Sequence, residues 1–176
     1  ATVGYLTEAA NTVGAQLAGA LPGAGGLNAA QMLAGGCKAT ILLNTEPVHD
    51  SAAGAAAAKA LAGAGMVVTL SPVKANLDFS DVLLPIAPFT ETSGSFVNAE
   101  GRVQGFHAVV KPLGETRPGW KVLRVLANLL GLKGFDFESS QDVLALHARW
   151  TLRDTRGRRR ALRPRRAPRP GAAAHR

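Results

Sequence analysis

An apolar run at residues 39–43 gives way to Asn44, Thr45, Glu46, Pro47, Val48, His49 and Asp50. Open parallel sheets bind ligands beyond the carboxyl ends of their strands, so a strand-to-helix turn of this kind is the first place to look for nucleotide chemistry. A phosphate cradle there needs glycines and free backbone donors. This turn supplies Glu46 and Asp50 instead, which repel phosphate, and it reads as structural. His49, His107, His147 and His175 contain no i, i+4 pair suited to one metal ion and read as surface, hairpin or tail residues. Asp81, Glu91 and Glu100 lie close enough in sequence for general acid–base work. No nucleophile brackets them, and solvated or turn-capping roles are expected. The single cysteine, Cys37, excludes an internal disulfide, a four-cysteine zinc site and an iron–sulfur cluster held by this chain alone. No catalytic, cofactor-binding or metal-ligating residue is therefore assigned, and no cofactor is expected in this chain by itself.

The elements that surround these residues form an α/β pattern. Residues 2–17 hold small and polar types with one short helix. Leu21, Pro22 and the glycines at 23, 25 and 26 make a loop, since Pro lacks a donor and Gly opens positive φ. A second short helix is expected at residues 28–33, ended by Gly35 and Gly36. Residues 39–43 and 66–70 are compact apolar runs separated by an Ala-rich stretch at 52–62 that favours helix, with Ser51 as its expected N-cap. A third run follows at residues 81–85. Strand, helix, strand, strand assembles into a small parallel sheet flanked by helices, with a right-handed crossover. After Pro88 the texture changes, and residues 95–97 and 102–104 read as a hairpin. Asn98 suits the first position of its type I turn, and Gly101 suits the left-handed position that closes it with a bulge. Trp120, Val122, Leu123, Val125, Leu126, Leu129 and Leu130 then fall near helical spacing, with Gly131 or Gly134 as the stop.

The formal charge of +8 sits at one end. Residues 1–148 carry 9 Lys or Arg against 11 Asp or Glu, whereas residues 149–176 carry 11 Arg against the single Asp154. Dense like charge, repeated Pro and few core residues predict disorder beyond residue 143. Clustered Arg could neutralise nucleic-acid phosphate. The same composition is what a GC-rich gene yields out of frame, and residues 144–176 are expected to be disordered or frameshifted, with no nucleic-acid partner. The uncharged span between Glu8 and Lys38 is diluted by Asn, Gln, Pro and Gly, short of the roughly 20 predominantly apolar residues of a membrane helix. Because Ala1 is followed directly by Val3, Tyr5 and Leu6, with nothing like a secretory signal, the sequence reads as cut from a longer chain.

Residues 80–104, which run from a strand ending in Leu84 and Pro85 through Glu91 and Gly94 to the Asn98, Glu100, Gly101, Arg102 and Gln104 hairpin, resemble the signature of the molybdopterin oxidoreductase superfamily. Three segments, residues 4–15, 88–94 and 110–128, are similar to the large iron–sulfur subunit of proteobacterial respiratory complex I, the NADH-quinone oxidoreductase, and the likeness covers about residues 1–143. This resemblance implies a partial molybdopterin oxidoreductase-like domain over residues 1–143 and a scaffold role for it. It implies iron–sulfur clusters in the full subunit, carried by cysteine motifs that are absent here. The implied partners are the other peripheral-arm subunits and the rest of the same subunit, on the cytoplasmic side of the bacterial inner membrane and without membrane insertion. A molybdenum enzyme such as a formate dehydrogenase, with its metal site on earlier segments, is the other reading of the same signature.

Overall fold

The computed structural model describes residue 7, residues 9–98 and residues 100–146. The expectations for residues 147–176, and for His147 and His175 with them, lie outside the described residues. The elements are α1 (Thr12–Leu17), α2 (Ala29–Leu33), β1 (Thr40–Leu43), α3 (Pro47–Asp50), α4 (Ala55–Ala62), β2 (Val67–Ser71), β3 (Val82–Pro85), a 3-10 turn (Phe89–Glu91), β4 (Gly94–Val97), β5 (Val103–Phe106) and α5 (Gly119–Leu129). The α/β class, the small parallel sheet with its helices and the hairpin are as the sequence indicates.

The parallel sheet has the order β1-β2-β3, with Ile41, Val68 and Val82 in one rank and Leu43, Leu70 and Leu84 in another. Side chains alternate across a strand, so these six share one face while Leu42, Val67 and Thr69 point to the other. The second face is the better filled. Leu42 and Val67 pack with Leu61 of α4, and Leu33, Ala64 and Phe79 close the cluster. Thr69 is fully buried there, and its hydroxyl pairs with that of Ser80 at 2.7 Å, which removes the cost of hiding an unsatisfied polar group. On the first face the start of α5 meets the carboxyl end. Its first residue, Gly119, lies against Leu43 and Ile86, where a Cβ would touch both side chains at 3.6 Å. Leu70 and Ile86 are buried, whereas Ile41 stays 50% exposed. The first face is thus only partly covered, since Leu43 at its carboxyl end is 46% exposed and Val82 at its amino end 38%.

Local chemistry accounts for the element ends. The Asn28 carboxamide accepts from the Gln31 amide, and the Gln31 side chain accepts from the Asn28 amide, a reciprocal cap that opens α2. α5 closes in a Schellman arrangement, with Leu132 N–H donating to Ala127 O and Gly131 N–H to Asn128 O. In the hairpin, Phe96 pairs with Gln104 and Val97 with Val103. Gly101 N–H donates to Asn98 O at 2.9 Å, Asn98 Oδ1 accepts from the Glu100 and Arg102 amides, and Gly101 has φ +78°, the left-handed region glycine enters most readily.

One boundary differs. Ser51 does not cap the Ala-rich helix. Its hydroxyl donates to Pro47 O at 2.6 Å and closes the short α3, while the Ala-rich helix begins after Gly54, at Ala55. Proline at the first turn of α3 starts a helix within a stretch read as a loop, and the serine then serves the end of that helix rather than the start of the next. Beyond α5, residues 140–146 are helical, opened by a reciprocal cap between Ser139 and Asp142, so residues 144–146 continue a helix where the composition predicts that disorder begins. No helix among the described residues is long and apolar enough to cross a membrane.

Candidate functional site

The carboxyl ends of β1, β2 and β3 gather three turns at one edge, the place a ligand would occupy in an open parallel sheet. The first turn is closed by its own carboxylate. Asp50 Oδ2 accepts from the Glu46 amide at 2.7 Å and the Thr45 hydroxyl at 3.1 Å, and these bonds hold the Asp50 carboxyl below the usual aspartate range. Asn44 turns the chain with φ +49° while its amide donates to Leu70 O, and Asn76 reaches across to donate its side-chain N–H to Thr45 O at 2.9 Å. The Glu46 amide that could have met a phosphate is already bonded, and a carboxylate stands in the anion's place.

At the second turn the Ser71 hydroxyl accepts from the Val73 amide at 3.2 Å. The third turn is braced from a distance. Ile86 forms a parallel bridge with Arg117, and Ala87 N–H donates to Arg117 O at 2.8 Å. The chain between these points folds back on itself. Thr90 O accepts from the Val109 amide at 2.8 Å, and Glu91 Oε2 accepts from the Leu113 amide at 2.9 Å. The segments 88–94 and 110–128 therefore form one braced unit beside the sheet.

The three acidic residues singled out in the sequence are not brought together for acid–base work. Asp81 Oδ2 accepts from the Val67 amide at 2.7 Å and fixes the start of β2, Glu91 holds Leu113, and Glu100 makes an exposed 4.0 Å ion pair with Arg102. His49 lies in α3 and His107 follows β5. Cys37 is a free, half-buried thiol whose Sγ is 4.0 Å from Met32 O. Among the described residues no three of His, Cys, Asp and Glu stand together as a metal site.

Sequence reasoning missed Asn11. Its side chain donates from Nδ2 to Ser95 O at 3.2 Å and accepts at Oδ1 from Val97 N–H at 2.8 Å, imitating a neighbouring strand along the free edge of β4. Gly14, buried one turn further along α1, makes this possible. A Cβ there would land on the Asn11 carboxamide, whose Cγ would be only 2.8 Å away. An Asn followed three residues later by a Gly is too common a pairing to reveal a clamp whose partners lie 84 and 86 residues away.

Comparison with known proteins is informative over most of this architecture. The chain is 38% identical over 73 residues to a protein of Staphylococcus aureus (strain bovine RF122 / ET3-1) named provisionally as a formate dehydrogenase, covering 42% of this chain and 7% of that protein. It is 40% identical over 67 residues to YjgC of Bacillus subtilis (strain 168), named provisionally as an oxidoreductase, covering 38% of this chain and 7% of that protein. The matched stretch is thus a small part of the length of these curated relatives. The sequence model of the molybdopterin oxidoreductases matches residues 1–129 and ends on the last residue of α5, so that sheet, braced hairpin and helix all fall within it and the chain belongs to the molybdopterin oxidoreductase family.

Proposed function

We propose that this chain is the structural C-terminal part of the large iron–sulfur subunit of the proton-pumping NADH-quinone oxidoreductase, in which the whole complex carries electrons from NADH to quinone. The observation that supports this reading most directly is the brace at the exit of β3. Two of the segments similar to that subunit, residues 88–94 and 110–128, fold against each other through Thr90, Glu91 and the Ile86–Arg117 bridge, so the likeness runs through one physical unit. In this reading the unit is a scaffold. The β1 turn does not suit the phosphate of a pterin cofactor, and iron–sulfur clusters, where the full subunit carries them, are held by cysteines other than Cys37. The proposed partners are the remainder of the same polypeptide and the neighbouring subunits of the peripheral arm, on the cytoplasmic side of the inner membrane.

The names of the relatives favour a second reading, a formate dehydrogenase-like molybdenum enzyme whose metal is held by other segments. Metal analysis of the full-length protein, with its NADH–ferricyanide and formate–dye activities, distinguishes the two. Iron without molybdenum, in a protein that assembles into an NADH-oxidising complex, is the expected result. Stoichiometric molybdenum with formate oxidation would replace the first reading by the second.

A further inference from the structure

Helix α5 has two apolar sides. Ala127 is buried, with Leu123 and Trp120 half-buried one and two turns before it. Val122, Val125, Leu126 and Leu129 form a second stripe at the i, i+3, i+4, i+7 spacing of a helix-packing seam. Half of this stripe is open: Val125 is 50% and Leu129 80% exposed, while Val122 and Leu126 are half-buried. Together with Leu84 of the sheet it floors a groove of about 570 Å³.

Arg117, Lys121 and Arg124 line the same groove, against one acidic residue, Glu138. Among the described residues none of these four groups has an ion-pair partner, since the sole pair is Arg102 with Glu100. Lys121 lies over the Trp120 ring at 5.4 Å, Arg117 donates to its neighbour Thr116 O, and Arg124 Nη1 donates to Phe137 O. Arg124 Nε is enclosed and, among the described residues, has no acceptor. Floor and wall together suit an occupant that brings an apolar stripe flanked by carboxylates.

Charge also decides where that occupant comes from. A second copy of α5 has no acidic residue and would set Lys121 and Arg124 against the same cations. Residues 149–176, with 11 Arg and one Asp, carry the wrong sign as well. The geometry points to an acidic amphipathic helix from outside this chain, laid along the α5 stripe with its carboxylates toward Lys121 and Arg124. This docking is independent of which of the two enzymes the chain serves.

The test uses the 176-residue chain and two synthetic peptides of about 18 residues, long enough for a helix to form on docking. They share one leucine stripe and differ only in flanks of Glu or of Lys. Amide hydrogen exchange is followed residue by residue, so that electrostatic binding of the acidic peptide to residues 149–176 is read separately. The acidic peptide should slow exchange at residues 121–129 and 135–138, and the basic peptide should not. The double variant Lys121→Glu, Arg124→Glu should weaken protection by the acidic peptide on the order of tenfold and admit the basic one. Lys121→Glu alone, at an exposed position that leaves the fold intact, should move affinity the same way by a smaller factor, and Lys59→Glu on α4 should leave it unchanged. Equal protection by both peptides, preference for the basic one, protection confined to residues 149–176, or no protection by either would overturn the assignment.

Discussion

Replacing Gly14 by Ala should destabilise the protein, and the same replacement should stabilise it once Asn11 has become Ala. The Asn11 carboxamide makes two hydrogen bonds to β4, each contributing about 1 kcal/mol net. Val97 is 4% exposed with Asn11 in place, and its amide loses its acceptor when Oδ1 is removed; an orphaned buried donor costs about 1–3 kcal/mol. Asn11→Ala is thus expected to cost about 2–4 kcal/mol. The three atoms nearest a Cβ on Gly14 all belong to the Asn11 side chain, so Gly14→Ala displaces the carboxamide and loses much of the same energy. With Asn11 already truncated that obstacle is gone. What remains is the ordinary benefit of Ala over Gly inside a helix, about 0.5–1 kcal/mol in favour of the variant. Urea unfolding of the four proteins of the cycle, compared at equal slope, gives the coupling directly. Additive costs, or a Gly14→Ala change that destabilises equally in both backgrounds, would refute the clamp.

Gly101→Val should cost about 1–3 kcal/mol, because a β-branched residue is held at positive φ at the hairpin turn, and an unchanged melting temperature would contradict the turn geometry. Bonds from Ser139 and from the Glu138 amide depress the Asp142 carboxyl, so its support for the helix at residues 140–146 is complete above the ordinary aspartate range near pH 4 and fades as pH falls through the lower folded value. An NMR titration of Asp142 with a midpoint at or above that range would be the contrary result. The purified 176-residue chain should carry neither iron nor molybdenum and show no visible chromophore, since Cys37 alone cannot supply the roughly four ligands of a cluster. Stoichiometric metal in elemental analysis would overturn that expectation.

What the sequence made legible was chemistry confined to a few neighbouring residues. The Asn98–Gly101 turn, the glycine stop after α5 and the three apolar strands are each written in such a stretch, and they fold as their side chains require. Ser51 misled because a capping hydroxyl serves either the helix before it or the one after it, and its bond to Pro47 O, four residues back, depends on a short helix in a stretch that reads as a loop. The acidic character of the β1 turn was visible in Glu46 and Asp50, although the hydrogen bond by which Asp50 occupies the Glu46 amide was not. Asn11 was beyond reach because both of its partners lie in a distant hairpin. The groove beside α5 was hidden for another reason. Helical spacing marks Val125 and Leu129 as apolar but gives no sign of whether anything covers them.

The contact between Asn11 and the hairpin also bears on the order of events while the chain is being made. Its two bonds join positions 84 and 86 residues apart, and a ribosome adds about 5–20 residues per second. The segment carrying Asn11 therefore waits on the order of 4–17 s for β4 to emerge, far longer than the microseconds in which a short helix forms and melts. During that interval β1, α4 and β2 are already complete and can pair, so α1, made before them, docks on β4 only after they have formed. Until they do, the edge of β4 stays open. An agent that binds bare strand edges would find its target in the nascent chain and lose it in the finished one.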